Sequence, residues 1–502
     1  MTKTKIILSV FVLVILSLLS YKFYFNKWLG YESIPNTFIF DEHDYPFVGY
    51  SFRQTGIPTG WSILGVYKEL DLQNKNDKSI QFNGVSITAD GDKPSITNKD
   101  NFNYPVTTVT DVDIGKGTET IRIVQPFFDH PIFGSWLYSL GIKNADSFDE
   151  IKPADYRLVS LRLSVITGFL IFIFSYLLFK NLFISFLSFI IYSIVPEFIL
   201  MSRFSLLENV IIPLSLLSFS LILIIQKFKL PSNIKIFILI ISGFISGLAF
   251  LTKVSGVFVI VTSILLLIKN KQPVKKIISY LIPVALLSLI YYGYMYYLSP
   301  SLFFKLLSDQ ANRQWFGPLS FFYQIVQPNF SGFPKSGYWL FGLISLFILF
   351  FKNQKKYFKL FLPFAVYLLT FLFMGGLNYP WYYLPFIPFI IIAAAVMIKK
   401  FIFKPNLTIL TLFYLLVFSS SFYWGYFVFN QEQNNYLIFR IILLVFIAAY
   451  LIKNYKFTKF HNIIWFIFCL LIFYQIYQWN NQGFQFITAN WGQLPENFSF
   501  PI

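Results

Sequence analysis

The chain has 502 residues, of which 56% are hydrophobic and only 13% are charged, and its mean hydropathy is +0.62. A soluble protein of this length needs more polar surface, so the composition excludes a soluble globular enzyme. Repeated apolar runs of about 18 to 22 residues match the ~20 helical residues that cross the hydrocarbon core of a bilayer. The sequence therefore predicts an all-α, polytopic membrane protein.

The net charge of +17 follows a membrane topology rather than a nucleic-acid footprint. Half of the 40 basic residues are lysines in short segments that flank the apolar runs, and none of the 23 acidic residues lies in those segments. Lysine-rich loops of membrane proteins are cytoplasmic. The single cysteine, Cys469, lies inside a late apolar run, which excludes a disulfide framework or a cysteine-based zinc site within one chain.

Thirteen membrane spans are predicted, with the N-terminus inside and the C-terminal tail outside. The first apolar run is long and lacks a small-residue cleavage site, so we interpret it as a retained helix rather than a signal peptide. The predicted spans are 6–25, 158–179, 182–200, 206–226, 234–252, 254–269, 277–297, 338–351, 359–375, 384–398, 407–427, 436–452 and 461–478.

These spans divide the chain into five predicted regions. The region 1–25 is a first transmembrane helix, and 26–157 is a large extracytoplasmic loop. A transmembrane catalytic core follows over 158–398, then C-terminal transmembrane helices over 399–478 and an extracytoplasmic tail over 479–502.

The first outer loop holds 18 of the 23 acidic residues. Short alternating segments in its middle, such as Ser79–Phe82 and Thr120–Val124, predict a few strands in a small β-rich insert. At its end, large apolar side chains recur at helical spacing, which predicts an interfacial helix on the outer leaflet. The residues of this stripe are Phe128, Ile132, Phe133, Trp136, Leu137 and Leu140.

Two adjacent carboxylates, Asp41 and Glu42, come about fifteen residues after the first span. Adjacent residues do not share a helix face, but in a loop they can converge or serve different partners. Asp41 is then a candidate general base that Glu42 tunes or orients, and the alternative is two solvated loop acids. His130, directly after Asp129 at the start of the predicted interfacial helix, is either a ligand of a phosphate or sugar or a structural residue.

Charged residues at the outer ends of the spans form a second candidate group. Lys253 lies between two apolar runs, where a lysine is a functional candidate with an anion as partner, the alternative being simple snorkelling. Glu208 begins a long apolar run, where a carboxylate is costly to bury unless it is paired. Arg203 precedes it in the same outer connection, and Arg157 and Arg162 lie at the outer start of the second span. Bases, acids and cations thus gather at one membrane depth, as transfer from a lipid phosphate requires.

Five ordered motifs resemble those of the GT-C membrane glycosyltransferases, specifically the protein O-mannosyltransferases and the lipid A aminoarabinose transferases. Phe40-Asp41-Glu42 resembles their Asp-Glu motif in the first outer loop. The stretch 127–131 resembles their aromatic-Asp-…-His-Pro-Pro motif. One residue that the motif has before its His is missing here, and Ile132 takes the place of the second proline. The stretch 202–208 resembles Ser-Arg-aromatic-x-Leu-Leu-Asp, with Glu208 in place of Asp.

The two later motifs are a glycine-rich segment and a tyrosine–proline element. Gly243 to Gly256 is similar to Gly-x-x-x-Gly-Leu-Ala followed by Lys-x-x-Gly, and Tyr382 to Pro388 is similar to Tyr-x-Leu-Pro-x-x-Pro. A Trp-Trp-Asp motif is not found, which disfavours an oligosaccharyltransferase. The resemblance implies a GT-C fold and a multi-pass protein of the cell membrane whose active site faces the extracytoplasmic side.

The resemblance also implies a polyprenyl-phosphate sugar donor, a protein, lipid or glycan acceptor, and one inverting displacement. Asp41 would take the acceptor's proton, and Lys253 with Arg157 or Arg162 would neutralise the leaving phosphate. His130 and Glu42 would orient donor and acceptor. The further binding residues that it implies are Arg203 for the donor phosphate and Asp129, Glu208, Tyr382 and Tyr383 for substrate.

No nucleotide is needed for such a reaction. Membrane lipids surround the protein, and no nucleic-acid partner is expected. No metal ligands are assigned. A divalent ion at Asp41, Glu42 or His130 stays an open alternative that no ligand spacing supports. The rival function is a transporter or flippase of lipid-linked sugar, whose ionisable residues lie near the bilayer midplane, often within internal repeats. This sequence shows no repeat, and covalent turnover of the donor would separate the two functions.

Overall fold

The computed structural model describes residues 40–62, 66, 107–113, 118–143, 151–311, 329–330, 333–334, 336–374, 380–423, 432–456 and 459–490. Within these ranges, eight helices are long and apolar enough to cross a membrane, and four shorter apolar helices accompany them. The predicted helical, multi-pass membrane architecture is therefore confirmed. The predicted first span, 6–25, lies outside the described residues, so the total of thirteen spans stays a prediction.

The first half of the described chain is mainly helical. A short 3₁₀ turn, Val254–Gly256, interrupts it after Lys253. In chain order the helices are α1 (Phe40–Thr55), α2 (Phe133–Ser139), α3 (Pro153–Phe179), α4 (Leu182–Ile194), α5 (Pro196–Met201), α6 (Leu207–Lys227), α7 (Ser232–Phe250), α8 (Val257–Lys269), α9 (Val274–Leu298) and α10 (Pro300–Ala311).

The second half of the chain continues the bundle. The helices are α11 (Gly337–Lys352), α12 (Gln354–Met374), α13 (Ile387–Phe403), α14 (Leu407–Leu412), α15 (Glu432–Tyr455) and α16 (His461–Asn490). A 3₁₀ segment, Pro380–Phe386, precedes α13, and α14 continues into a π-helical stretch, Phe413–Phe418. The spans α6 and α13 are mostly buried, whereas α15 exposes most of its apolar side chains and so faces outward from the bundle.

Short strands accompany the first helices. β1 (Gly60–Trp61), β2 (Thr107–Asp113) and β3 (Thr118–Val124) form an antiparallel sheet in the order β1-β3-β2. A second pair joins β4 (Asn329–Phe330) to β5 (Phe333–Pro334). The predicted strand at 120–124 lies within β3, but 79–82 lies outside the described residues. A separate β-rich insert therefore stays a prediction.

The acidic pair after the first predicted span begins a helix rather than a loop. Asp41 and Glu42 are the second and third residues of α1. The helix ends at Gly56, whose φ of +78° suits the left-handed position after a helix C-terminus. The alternative of a solvated loop acid therefore does not describe Glu42, which is fully buried.

The helices α1 and α2 touch along their backbones. A Cβ atom at Gly49 of α1 would lie 1.9 Å from the carbonyl oxygen of Ser135 in α2. The Arg53 Nη1 donates a hydrogen bond of 2.6 Å to the carbonyl oxygen of Ser139. Gly134, Ser135, Tyr138 and Ser139 face the protein, while Trp136 and Leu140 are exposed, so α2 lies with one small-residue face inward.

The last helix is longer than predicted. We expected a span to end at 478 and an outer tail to follow, but α16 continues to Asn490. Asn480 is polar and therefore lowers the local hydropathy, yet it is buried against the bundle together with Trp479 and Phe484. The start of the predicted tail is thus part of the packed structure, because packing against other helices, rather than hydropathy, determines where this helix ends.

Replacing Gly49 by alanine should destabilise the protein, because the new methyl group would force α1 away from the Ser135 carbonyl. Overpacking of this kind costs ~1–3 kcal/mol. The measurement is the apparent Tm of the purified protein in detergent. Gly293→Ala in α9 is the matched control, since a Cβ there would meet no heavy atom within 4 Å. Equal Tm values for the two variants would show that the α1–α2 contact is not close.

Candidate active site

A buried ion pair joins the acidic motif of α1 to the N-terminal end of α3. The Arg157 Nε lies 2.7 Å from the Glu42 Oε1, and the Arg157 Nη2 lies 2.6 Å from the Glu42 Oε2. Both side chains are fully buried. Two parallel hydrogen bonds between a guanidinium and a carboxylate form a strong and directional contact. The Ser205 N–H donates a third hydrogen bond to the Glu42 Oε1, at 3.2 Å.

The connection between α5 and α6, residues 202–206, is held in place by side chains from neighbouring elements. The Ser160 Oγ and the Asn209 Nδ2 both donate to the Phe204 carbonyl, at 3.0 and 2.8 Å. The Tyr138 hydroxyl of α2 donates to the Leu206 carbonyl at 2.6 Å. Buried backbone carbonyls need such donors. The connection is therefore fixed, and with it the charged residues that it carries.

A second buried ion pair lies where α6 begins. The Lys253 Nζ is 2.6 Å from the Glu208 Oε1 and 4.0 Å from the centroid of the Tyr382 ring. Lys253 follows the end of α7 in extended conformation, just before the 3₁₀ turn. The break is tight, since a Cβ at Gly256 would lie 2.1 Å from the Ala249 carbonyl oxygen. Lys253 is buried and paired, so the snorkelling alternative does not describe it.

The two carboxylate oxygens of Glu208 differ in their hydrogen-bond partners. Glu208 is fully buried, and its Oε2 has no hydrogen-bond partner in the part of the chain that the structure describes. A buried carboxylate oxygen without a donor costs ~1–3 kcal/mol or more. This position can therefore accept a hydrogen bond from a hydroxyl group of a bound molecule.

Arg203 lies between the two ion pairs along the chain. Its guanidinium lies 4.6 Å from the centroid of the Phe484 ring of α16. Burial lowers the pKa of Arg203 to about 9, and the positive charge of Arg157 acts in the same direction. Burial also raises the pKa of Tyr138, and the charges of Glu208 and Glu42 raise it further. The two carboxylates therefore act on one hydroxyl, which places both ion pairs in one neighbourhood.

The structure brings five charged residues of the predicted site together through these contacts, and the Tyr382 ring lies against one of them, Lys253. Asp41 lies in α1, but its side chain lies outside the described residues. The Asp129 Oδ2 accepts a hydrogen bond of 2.6 Å from the Ser62 Oγ, and the His130 ring lies edge-on to Tyr45. The five residues of the shared neighbourhood are Glu42, Arg157, Arg203, Glu208 and Lys253.

Arg162 does not reach this neighbourhood. It follows Arg157 by five positions on α3, which places the two side chains about 140° apart around the helix. Its side chain is exposed, whereas Arg157 is buried. The predicted choice between these two cations is therefore settled in favour of Arg157 as the residue of the buried cluster. The predicted tyrosines also differ: Tyr382 contacts Lys253, whereas Tyr383 packs edge-on against Trp339.

Two residues of this region were missed by the sequence reasoning. Glu197, in the first turn of α5, is buried and its Oε2 accepts a hydrogen bond from the Ser336 N–H. A carboxylate within an apolar run is a readable signal, and it could have found Glu197. Phe484 carries no such signal, because a phenylalanine in an apolar helix is ordinary. The described residues contain no group of three or more His, Cys, Asp or Glu side chains that could hold a metal ion.

Replacing Glu42 by glutamine should destabilise the protein strongly. Gln cannot neutralise Arg157, and breaking a buried ion pair by removing one partner costs ~3–5 kcal/mol. The apparent Tm in detergent and the yield of monodisperse protein measure this effect. Asp155→Asn is the matched control, because Asp155 is half-buried in the first turn of α3 and its charge there is worth only ~0.3–1 kcal/mol. A Glu42→Gln protein as stable as this control would show that the pair contributes little.

Part of the chain is similar to a known protein family. Residues 125–304 match the dolichyl-phosphate-mannose-protein mannosyltransferase family. No curated protein sequence matches the chain. The matched range includes the following site residues: Asp129, His130, Arg157, Arg162, Arg203, Glu208 and Lys253.

Solved structures resemble the chain in fold. ArnT from Cupriavidus metallidurans bound to undecaprenyl phosphate aligns with a TM-score of 0.55 and 11% identity, over 95% of this chain and 77% of ArnT. The apo oligosaccharyltransferase of Archaeoglobus fulgidus aligns with a TM-score of 0.42 and 12% identity, over 98% of this chain and 56% of that one. Residues 125–304 are thus similar to the dolichyl-phosphate-mannose-protein mannosyltransferase family, and the chain has a fold similar to that of ArnT.

Proposed function

We propose that this protein transfers a sugar from a polyprenyl-phosphate donor to a protein, lipid or glycan acceptor at the extracytoplasmic face of the cell membrane. The observation that carries the proposal is the buried Lys253–Glu208 ion pair at an end of the transmembrane core. ArnT, whose fold is similar, was solved with undecaprenyl phosphate, which supports a lipid phosphate as part of the donor.

Lys253 is suited to bind the phosphate group of the donor. An ammonium group has three N–H donors, so it can hold Glu208 and a phosphate oxygen at the same time. Glu208 binds the lysine and fixes its direction before the donor arrives. A cation that is already in place where negative charge develops stabilises the transition state without reorganisation. Arg203 and Arg157 add positive charge from the neighbouring connection and from α3.

The reaction is a single displacement at the anomeric carbon of the sugar. The acceptor's nucleophilic atom forms the new bond to that carbon while the bond from carbon to the phosphate oxygen breaks. The electron pair leaves with polyprenyl phosphate, and Asp41 takes the proton of the acceptor. The configuration at the anomeric carbon inverts because attack and departure occur on opposite faces.

The contacts of Glu42 favour a role in positioning other groups rather than a role in proton transfer. Both of its oxygens accept hydrogen bonds from Arg157, and one also accepts from the Ser205 N–H. A carboxylate bound in this way holds its partners in position. Asp41 is the preceding residue of the same helix, so the contacts of Glu42 also hold the start of α1. Glu42 is therefore a positioning residue for Arg157 and for the backbone of Asp41.

The extracytoplasmic side is supported by the distribution of charge. The cluster lies at the ends of α3, α6 and α7 that are opposite to the lysine-rich ends of the spans. Lysine-rich loops are retained in the cytoplasm. A flippase of lipid-linked sugar would use a similar donor but leave it intact, so turnover of the donor distinguishes the two functions.

Replacing Lys253 by alanine should weaken binding of polyprenyl phosphate strongly, whereas Lys253→Arg should retain much of it. Alanine removes a buried cation and leaves Glu208 charged without its partner, which disfavours a second anion nearby. Arginine keeps the charge. The measurement is the Kd for polyprenyl phosphate of purified protein in nanodiscs. Lys404→Ala is a control, because Lys404 is exposed at the C-terminal end of α13. Equal affinities for the wild type and Lys253→Ala would contradict the phosphate-binding role.

Replacing Asp41 by asparagine should abolish transfer while donor binding persists. Asparagine keeps the shape of the side chain but cannot take up the acceptor's proton, and a positioned base contributes ~10²–10⁴-fold to the rate. The measurement is single-turnover release of polyprenyl phosphate at saturating donor. Asp44→Asn is the comparison on the same helix, since the Asp44 Oδ1 accepts a structural hydrogen bond of 2.7 Å from the Trp61 N–H. Near-normal turnover by Asp41→Asn would place the base elsewhere.

A further inference from the structure

We propose that Phe484, in the C-terminal part of α16, positions the Arg203 guanidinium to bind the phosphate of the lipid donor. The inference rests on the proposed function, since it concerns the same phosphate. It assigns a role in the site to the part of α16 after residue 478, which the sequence predicts to belong to an outer tail. Phe484 contacts no reacting atom, so it acts through Arg203 as a positioning residue.

The contact between the two side chains is close and enclosed. The carbon at the centre of the guanidinium lies 4.6 Å from the centroid of the Phe484 ring. Arg203 is fully buried and Phe484 is almost fully buried. A cation within about 6 Å of an aromatic ring face is attracted by the ring, and the attraction grows when water is excluded. The burial of both partners therefore makes this contact stronger than one at a protein surface.

The ring also affects how the guanidinium of Arg203 is oriented. Arg203 precedes Phe204, whose ring centroid lies 5.7 Å from the Arg157 guanidinium, and Arg157 pairs with the Glu42 carboxylate. The Phe484 ring attracts the cation without adding a negative charge of its own. The planar guanidinium stacks on aromatic faces. The ring therefore also restricts the orientation of the plane in which Arg203 presents its N–H groups.

The end of α16 is anchored in a way that fixes the ring. Asn480, one helical turn before Phe484, is fully buried and its Nδ2 donates to the Tyr338 hydroxyl at 3.3 Å. The same hydroxyl lies 3.0 Å from the Ser421 Oγ. Residues four positions apart lie on one face of a helix. This polar contact therefore sets the rotation of the helix that directs Phe484 toward Arg203.

A narrow cavity runs along the same face of the helix. It lies between the end of α4, the helix α5 and α16, and Phe484 and Asn480 both line it. The Asn480 Oδ1 is buried and has no hydrogen-bond partner among the described residues. The remaining lining residues are Ser193, Ile194, Ile199, Tyr477 and Asn481.

The experiment compares donor binding in variants of the full-length protein in nanodiscs, with polyprenyl phosphate as the probe. Phe484→Leu removes the ring and should raise the Kd by about 3- to 30-fold, the range of a desolvated cation–π contact. Phe484→Tyr keeps a ring and should bind within about 3-fold of the wild type. Phe468→Leu is the matched control, because Phe468 is a buried residue of the same helix that packs against Phe446 and Trp465. It should bind as the wild type does.

A double-mutant cycle tests whether Phe484 acts through Arg203. In an Arg203→Gln background, Phe484→Leu should have no further effect on the Kd, because the cation that it positions is gone. A Kd for Phe484→Leu equal to that of Phe468→Leu, or an undiminished effect in the Arg203→Gln background, would overturn the inference. If Phe484→Leu does not fold, Phe484→Met replaces it, since it retains similar volume without a ring.

The outcome also separates this inference from the proposed function. If Arg203→Gln and Lys253→Ala both weaken binding while Phe484→Leu does not, the phosphate site stands and only the role of Phe484 fails. If neither Arg203→Gln nor Lys253→Ala weakens binding, the proposed phosphate site itself is wrong, and the inference about Phe484 is overturned with it.

Discussion

The bidentate ion pair between Glu42 and Arg157 is the interaction on which the rest of the site depends. Both groups are fully buried, so their attraction offsets the loss of hydration only while the geometry is maintained. The Ser205 N–H binds the same carboxylate, so three elements meet at one group: α1, α3 and the connection before α6. A movement of any of the three would leave a buried charge without its partner. This constraint holds the start of α1, and with it the backbone of Asp41, against the transmembrane core.

The connection that meets this ion pair also carries the other charges of the site. Arg203 precedes Ser205 in it, and Glu208 follows in the first turn of α6, where it binds Lys253. One short stretch therefore sets the relative positions of the two ion pairs. Its carbonyls receive hydrogen bonds from side chains of three helices, so its conformation does not depend on a bound substrate. Preorganised charges of this kind are the main source of electrostatic catalysis.

The short helix α2 couples these charges to the break between α7 and α8. The Phe133 N–H donates a hydrogen bond of 2.9 Å to the Leu251 carbonyl, two residues before Lys253. At the other end of the helix, Tyr138 binds the Leu206 carbonyl, two residues before Glu208. Helix α2 thus binds the backbone two residues before each of the partners Lys253 and Glu208. The proposed transfer from a lipid phosphate needs fixed cations, and these two contacts of α2 hold the backbone just before each member of the pair.

The sequence by itself determined the helical membrane architecture and identified the five charges of the buried cluster. Both follow from local properties. A long apolar run is favourable in the hydrocarbon core of a bilayer, and a charge within such a run is costly there unless it is paired. Tertiary structure alone decided which charges pair. Glu42 and Arg157 are 115 positions apart, and no local pattern favours Arg157 over Arg162. That choice depends on the face of α3 that packs inward. The contact of Arg203 with Phe484 depends likewise on how the last helix packs, because a cation–π contact requires only a ring in the right place, and an apolar helix contains many rings.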